Sequence, residues 1–444
     1  MIFDLVDYDG PLGAFGAELS RRRIAVAADS AGRVALVRPD SVVLEFGDGY
    51  DRVESLVHDH ALDVLGGELP GEPPASGTVA IRRGPNARRR DHPRRWTTKD
   101  LQEWVQDMDL DRLVPRPNQV YLADGVARHF RLLDETGSGT PGLSNPASIA
   151  STVRPAARPA HLPQPLAIPQ RRAPNVLVLD TGLRTMDAHT KVEHPWLRGH
   201  CVLHTPWRDL RTTGRWDDED EPDDDGRGRL DEQAGHGTFI TGIIRQLCPD
   251  AVIHHRGVLT SYGDGDDASV IAAIERALLA AHDYDVAVAA FGTYGVGDER
   301  PPLAGAVRRL LPDSLVVASA GNDATSRPYY PAALPGVIGV GALDQGSRAR
   351  FSNFGSWVDA CAPGVDVVST FFDDFDERCA CCGSVTQQYR GWARWSGTSF
   401  AAPKVAGAVA QEMYLRGGTA HGAWARLSGH TRHRHPDLGV VFNV

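Results

Sequence analysis

An α/β fold built on a mainly parallel sheet flanked by helices, preceded by a small α+β domain, is predicted by three observations. After residue 174, short continuous apolar runs alternate with helical stretches; before residue 135, the runs are strand-like; between them lies a tract rich in Pro, Gly, Ser and Ala. Apolar strands alternating with helices are the pattern of a parallel sheet covered on both faces. At 444 residues and 42% hydrophobic content the chain is large enough for two domains. The expected division is an N-terminal domain over residues 1–135, a linker over 136–173 and a larger domain over 174–444.

In the first region "RIAVAAD", "RVALVRP" and "SVVLEFG" read as strands, and a helix is expected from Thr98, where Leu101, Trp104, Val105 and Met108 fall on one face. Seven arginines lie between Arg82 and Arg95, without an aromatic platform or a groove-fitting motif, so an exposed loop is favoured there over nucleic-acid contact. The recurrent prolines of the next tract stiffen a linker. Beyond it, "NVLVLDTGL", "AVIHHRGVL", "DVAVAAFG", "LVVASAGN" and "VIGVGAL" are the expected strands, and "ASVIAAIERALLAA" and "PPLAGAVRRLL" are helices between them.

Composition narrows the function. With 47 basic and 57 acidic side chains the formal charge is −10, which argues against a nucleic-acid binder as the whole molecule. Apolar stretches are interrupted by charges or by Pro403 and Lys404, so no membrane partner is expected. The opening "MIFDLVDYDGPLGAFG" is acidic where an export signal is basic, and six cysteines, three of them in "CACC", do not make a disulfide framework. A cytoplasmic protein is the expectation.

In open parallel sheets, functional groups gather at the carboxyl ends of strands. Asp180 ends one expected strand, Asn322 ends another, His236 opens the helix of "GHGTFITGIIRQL", and Ser399 opens the helix of "SGTSFAAPKVAG". Each has a structural reading: a turn cap for Asp180, an ordinary buried histidine, a left-handed turn residue beside Gly321, a helix cap at Thr398 or Ser399. Together they supply a nucleophile, a base, an orienting acid and a neutral donor on one rim, which the separate readings do not explain.

The blocks "VLVLDTGL", "GHGTFITG", "SAGND" and "SGTSFAAPKVAG", in the order Asp, His, Ser, resemble the signature blocks of the subtilisin-like serine proteases over roughly residues 173 to 444. The resemblance implies a subtilisin-like fold and a serine endopeptidase acting on peptide or protein substrates. Ser399 is then the nucleophile, His236 the base, Asp180 its orienting group, and Asn322, with the Ser399 amide, the oxyanion donors. It further implies an extended cleft lined by Ala290, Phe291 and Gly292 and by Ala318, Ser319, Ala320 and Gly321, into which substrate adds as an antiparallel strand. The family's polar-Leu-Gly pattern reads Ala290-Phe291-Gly292 here. Tyr329 is expected near the floor of the first specificity pocket, favouring small residues before the cut. Family members often carry an N-terminal prosegment, so intramolecular control by residues 1–135 is expected.

Two features stand outside that pattern. The insertion "DDFDERCACCGSVTQQYRG" is expected to be a cleft-edge loop with free thiols, because Cys379, Cys381 and Cys382 lack a fourth ligand for zinc. In the acidic run, Glu221, Asp223, Asp225, Gly226 and Glu232 take positions one, three, five, six and twelve of a calcium loop; a solvated acidic loop is the alternative. The chemistry needs no cofactor, and calcium is the structural ion to test. Two other readings stand beside the peptidase: a peptide-binding scaffold on a protease fold, and a protease regulated by nucleic acid through the arginine-rich loop.

Overall fold

The computed structural model describes residues 153–186, 191–203, 220–223, 226–280, 283–295, 300–379, 381–430 and 433–444, and before them 4–5, 24–28, 34–46, 49–59, 62–65, 73–74, 77–83, 102–103 and 113–123. The arginine-rich stretch beyond Arg83 and most of the helix expected from Thr98 lie outside these residues, as does the first part of the expected linker.

Among its described residues the N-terminal domain is an antiparallel sheet with a helix packed against it. Its strands are β1 (Ala25–Ala28), β2 (Val34–Glu45), β3 (Leu62–Val64), β4 (Thr78–Arg83) and β5 (Val114–Ala123), and its helix is α1 (Tyr50–Asp59). The two strands expected from "RVALVRP" and "SVVLEFG" are one strand, β2. Pro39 cannot donate to a ladder, and the pairing of β2 with β5 shifts register between Val37 and Val42. The alternation of β2 divides its side chains between two cores. Val42 and Leu44 pack with Phe46, Val53 and Leu56, whereas Val43, with Ala80, packs into the larger domain beside Ala268 and Ile271.

A strap comes next. Residues Arg154–Pro155 (β6) pair with Arg394 and Ala393, and further along Leu166 and Ala167 donate their amides to Asp250 and Ile168 donates to Tyr414 Oη. The described half of the expected linker is therefore tied down over the larger domain.

The larger domain is built on a mainly parallel sheet, with short antiparallel additions at Ser347–Arg348 and Arg434–His435. Its strands are β7 (Asn175–Asp180), β8 (Cys201–Leu203), β9 (Val252–Gly257), β11 (Val286–Ala289), β13 (Leu315–Ser319), β15 (Ile338–Asp344), β16 (Ala360–Pro363) and β21 (Gly439–Val441). They lie in the order β8-β9-β7-β11-β13-β15-β16-β21, with every neighbouring pair parallel. The chain fills one side of β7 first and then crosses to the other, so the order reverses at β7, which ends in Asp180; crevices for ligands form at such points. Between these strands run short pieces: β10 (Asp264–Asp266), β12 (Phe291–Tyr294), β14 (Tyr329–Tyr330), and the later β17 (Val367–Thr370), β18 (Phe375–Arg378), β19 (Val385–Tyr389) and β20 (Trp392–Trp395).

One face of the sheet is covered by α2 (His236–Leu247) and α5 (Thr398–Arg416), the other by α3 (Asp267–Leu279) and α4 (Leu303–Leu310), with α6 (Ala420–His430) at the far end. Small residues let α5 run through the interior: Ala401, Ala402, Ala406 and Ala410 are fully buried, and a Cβ on Gly407 would stand 2.9 Å from Leu247 of α2. Among the described residues no helix is long and apolar enough to cross a membrane.

Candidate active site

Asp180, His236 and Ser399 are all 0% exposed and Asn322 is 5% exposed. Asp180 stands at the end of β7, and its Oδ1 accepts from His236 Nδ1 at 2.7 Å and from the Thr181 amide at 2.8 Å. An ionised carboxylate only accepts, so the contact places the proton on Nδ1 and leaves the lone pair on Nε2. Nε2 has no hydrogen-bond partner among the described residues. The imidazole is wedged between Trp395, edge-on at 5.5 Å between ring centres, and Phe400 at 5.3 Å.

The start of α2 is constrained by its glycines. Gly235 has φ 81°, and a Cβ there would lie 2.2 Å from Phe371; a Cβ on Gly237 would lie 2.3 Å from the Thr181 carbonyl. Only Gly-His-Gly lets the helix begin this close to β7. Thr181 and Asp220 complete the join: Thr181 Oγ1 accepts from the Gly237 amide at 2.9 Å and donates to Asp220 Oδ2 at 2.8 Å, and that oxygen also accepts from the Gly235 amide at 2.7 Å. Burial pushes the Asp220 carboxyl well above the usual range, with Asp180 and Asp231 adding to the rise. Sequence reasoning missed Asp220, which sits inside an acidic run that marks it no differently from its neighbours.

Ser399 is the second residue of α5, and Gly397, which precedes the helix, has extended backbone at φ 170°. The Ser399 hydroxyl donates to the Ala290 carbonyl at 3.0 Å and makes no hydrogen bond to His236 Nε2. Asn322 Oδ1 accepts from the Thr398 amide at 2.9 Å and from Thr398 Oγ1 at 3.0 Å. With Oδ1 held, the amide nitrogen is turned towards Gly397, 3.3 Å from where a Cβ on that residue would stand.

The cleft residues divide. Ala290 holds Ser399, while Gly292 lies in β12, an antiparallel edge strand; Phe291, beside it, is fully buried among the side chains under α3 and α4. Ala318 and Ser319 belong to β13, paired on both sides within the parallel sheet, and Ala318, Ser319 and Ala320 are 0% exposed in this structure. Sequence reasoning did not identify β10 as a strand. Gly321 turns at φ 96° beneath Tyr329. Tyr329 is 3% exposed, with its ring against both Gly321 and Gly292 and 4.9 Å from that of Tyr294, so it lies under the cleft rather than out on the surface.

Strand β5 of the N-terminal domain runs between β10 and β12. Leu122, Tyr121 and Val120 pair antiparallel with Asp264, Gly265 and Asp266, and Ala123 and Leu122 pair antiparallel with Phe291 and Gly292. The register places Ala123 opposite Phe291, next to Ala290, whose carbonyl holds the Ser399 hydroxyl. The Gln119 amide donates to Asp267 Oδ2 at 2.8 Å at the start of α3.

The residues expected to bind calcium are described in part. Both Asp223 oxygens accept from amides of their own loop, Arg227 at 3.0 Å and Gly228 at 2.6 Å, and Asp225 lies outside the described residues. Among the described residues Glu221, Asp223 and Glu232 do not gather as a ligand set; the group that does is Cys379, Cys381 and Cys382, whose sulfurs lie within 4.8 Å of one another. These thiols cap a hairpin of β18 and β19 rather than an irregular loop. The Cys379 thiol is lowered to about 7, chiefly by its contact with Cys381.

The subtilase family profile matches residues 171–431, more than half of the chain. A subtilisin-like protease of Coccidioides posadasii is 32% identical over 250 residues, 54% of each chain. Subtilisin Savinase of Lederbergia lenta is 33% identical over 187 residues, 40% of this chain and 62% of that one, and a thermophilic serine proteinase of a Bacillus species is 46% identical over 98 residues, 22% and 20%. The chain thus spans less than two thirds of the length of these relatives. The crystal structure of fervidolysin from Fervidobacterium pennivorans, described as a keratinolytic enzyme related to subtilisin, aligns with a TM-score of 0.60 at 20% identity over 92% of this chain and 60% of that one, a likeness of fold. Matched over residues 171–431, from the end of the strap before β7 to the end of α6, this chain belongs to the subtilase family.

Proposed function

We propose that the chain is a serine endopeptidase held in check by its own N-terminal domain. The observation that carries the peptidase reading is the 2.7 Å contact of Asp180 with His236 Nδ1, which leaves Nε2 free on the rim where Ser399 begins α5. Substrate enters as a strand between β10 and β12. The Ser399 hydroxyl turns from Ala290 to His236, its proton passes to Nε2, and Oγ bonds to the peptide carbonyl carbon. Asp180 stabilises the imidazolium. The oxyanion is met by the Asn322 amide and the Ser399 backbone N–H at a helix start, both in place before the charge develops. His236 then returns the proton to the leaving amine, and water hydrolyses the acyl-enzyme by the same steps in reverse.

The inhibitor reading rests on β5, which pairs with both edge strands as a peptide would, and on the Ser399 hydroxyl being held by Ala290. In this reading the chain is cut immediately after β5, and the domain governs access until it leaves. The cysteine usage supports a role in intracellular processing.

Two measurements test this. A fluorophosphonate probe should label the wild-type chain and not Ser399→Ala; equal labelling of both would refute the nucleophile, and the absence of labelling and turnover in an unfettered wild-type protein would leave the scaffold reading. Incubated alone, the wild-type chain should yield a fragment beginning just after Ala123, while Ser399→Ala stays whole. A wild-type chain that remains intact yet cleaves added peptides at full rate would remove the inhibitor reading.

A further inference from the structure

Arg38 of β2 lies across two carboxylates of β10: Nη2 is 3.0 Å from Asp264 Oδ2 and Nε is 2.8 Å from Asp266 Oδ2. The three side chains are 12%, 5% and 10% exposed. The cation belongs to the N-terminal domain and both anions belong to the peptidase domain. The anions are held in place from their own side. Asp264 Oδ1 accepts from Thr260 Oγ1 at 3.0 Å, and Asp266 Oδ1 accepts from the Ser269 amide at 3.0 Å and from Ser269 Oγ at 2.7 Å, where it caps α3. Each carboxylate therefore binds its own domain through Oδ1 and the guanidinium through Oδ2.

Their position ties this pair to the cleft. Asp264 and Asp266 are two apart on β10, so they share a face of the ribbon formed with the strand that fills the cleft. Arg38 reaches them from beside that strand, since it follows Val37, which faces Gln119 of β5. When the N-terminal domain leaves, both anions remain at the cleft edge, a few ångströms apart, with their cation gone. A substrate residue seated opposite either of them presents its side chain on the same face.

We infer that Asp264 and Asp266 form a subsite for a cationic side chain, which Arg38 fills in this structure and which an Arg or Lys fills in peptide substrates at the register positions of Val120 or Leu122. The inference rests on the cleft reading given above and extends it to substrate class: the enzyme favours basic segments upstream of the cut. Two ion pairs at the cleft edge correspond to an advantage of about fivefold over an acidic residue at low salt, weakening as salt rises.

The test uses the full-length chain carrying Ser399→Ala and fluorescent peptides with the sequence of residues 114–126, with either Arg or Glu at both positions, 120 and 122. Affinities are read by anisotropy. Competition from the tethered β5 multiplies both apparent Kd values by the same factor, so their ratio reports the subsite. The Arg peptide should bind about fivefold more tightly, the ratio should shrink towards one in about 1 M salt, and it should fall to near one in Asp264→Asn/Asp266→Asn, where Asn keeps the inner acceptor. Equal affinities at low salt, or a ratio that survives either the salt or the double substitution, would overturn the inference; if the double variant does not fold, the salt titration decides. Absence of binding by both peptides would overturn the subsite and the cleft reading together. Binding with the expected ratio by a chain whose wild-type form has no peptidase activity would uphold the subsite and refute the peptidase reading alone.

Discussion

Asp180, His236 and Ser399, at the rim of the parallel sheet, are each 0% exposed and are held by partners of their own domain. Strand β5 reaches the same cleft from outside, through backbone pairing with two short edge strands and through the ion pairs of Arg38. The rim is built of close approaches that tolerate no added atom, such as Gly237 against Thr181. The contact of β5 is built of groups that water and salt can replace. A site that must stay in place and a strand that, in the proposed inhibitor reading, leaves it thus rest on different physics.

The comparison can be broken most decisively at the rim. Ser399→Ala or His236→Ala should lower kcat by at least about a thousandfold without shifting the melting temperature, measured on a peptide substrate in purified protein. Asn322→Ala should cost about a hundredfold in kcat with little change in KM. A proportionate rise in KM instead would mean that Asn322 serves chiefly to hold Thr398.

At the occupant the expected effects are smaller. Arg38→Gln leaves two carboxylates without their cation and should loosen β5, raising the rate at which the full-length chain cleaves an added neutral peptide by about tenfold, the equivalent of roughly 1.4 kcal/mol. An unchanged rate would mean that backbone pairing alone sets occupancy. The smallest effect is on stability. Burial lowers the His194 imidazole from 6.5 to about 4, while its ring nitrogen contacts the Gly391 carbonyl at 2.8 Å. Between those two pH values the unfolded chain binds the proton and the folded chain does not, so stability rises with pH through this window and is lost as pH falls through it. Urea midpoints at pH 4.5 and 7 should differ less in His194→Gln than in the parent protein.

Legibility followed the same divide. The four rim residues could be read because each lies in a block where glycines and small residues are required by close packing, as "GHGT" and "SGTS" are. Strand β10 could not. "GDGDD" has neither alternation nor apolar content and reads as a turn; it becomes a strand by pairing with β5, far upstream in sequence. That Ala318 and Ser319 sit in a strand paired on both sides was not legible either, because nothing in an apolar run distinguishes an interior strand from an edge strand. Arg38, Asp264 and Asp266 are ordinary surface residue types whose meeting no local pattern marks.

Period in the chain was enough to read the parallel sheet and its order of helices, and the resemblance of its blocks was enough to single out the four rim residues, because these depend on local backbone demands and on apolar runs that have one way to be buried. Which strands face the cleft, that residues 153–173 form a strap, that Asp220 buttresses the start of α2 and that Ser399 rests on Ala290 all depend on contacts between segments distant in sequence. Such contacts are selected by the packing of the whole fold, where many residues of the same type compete for each place and shape and burial choose between them.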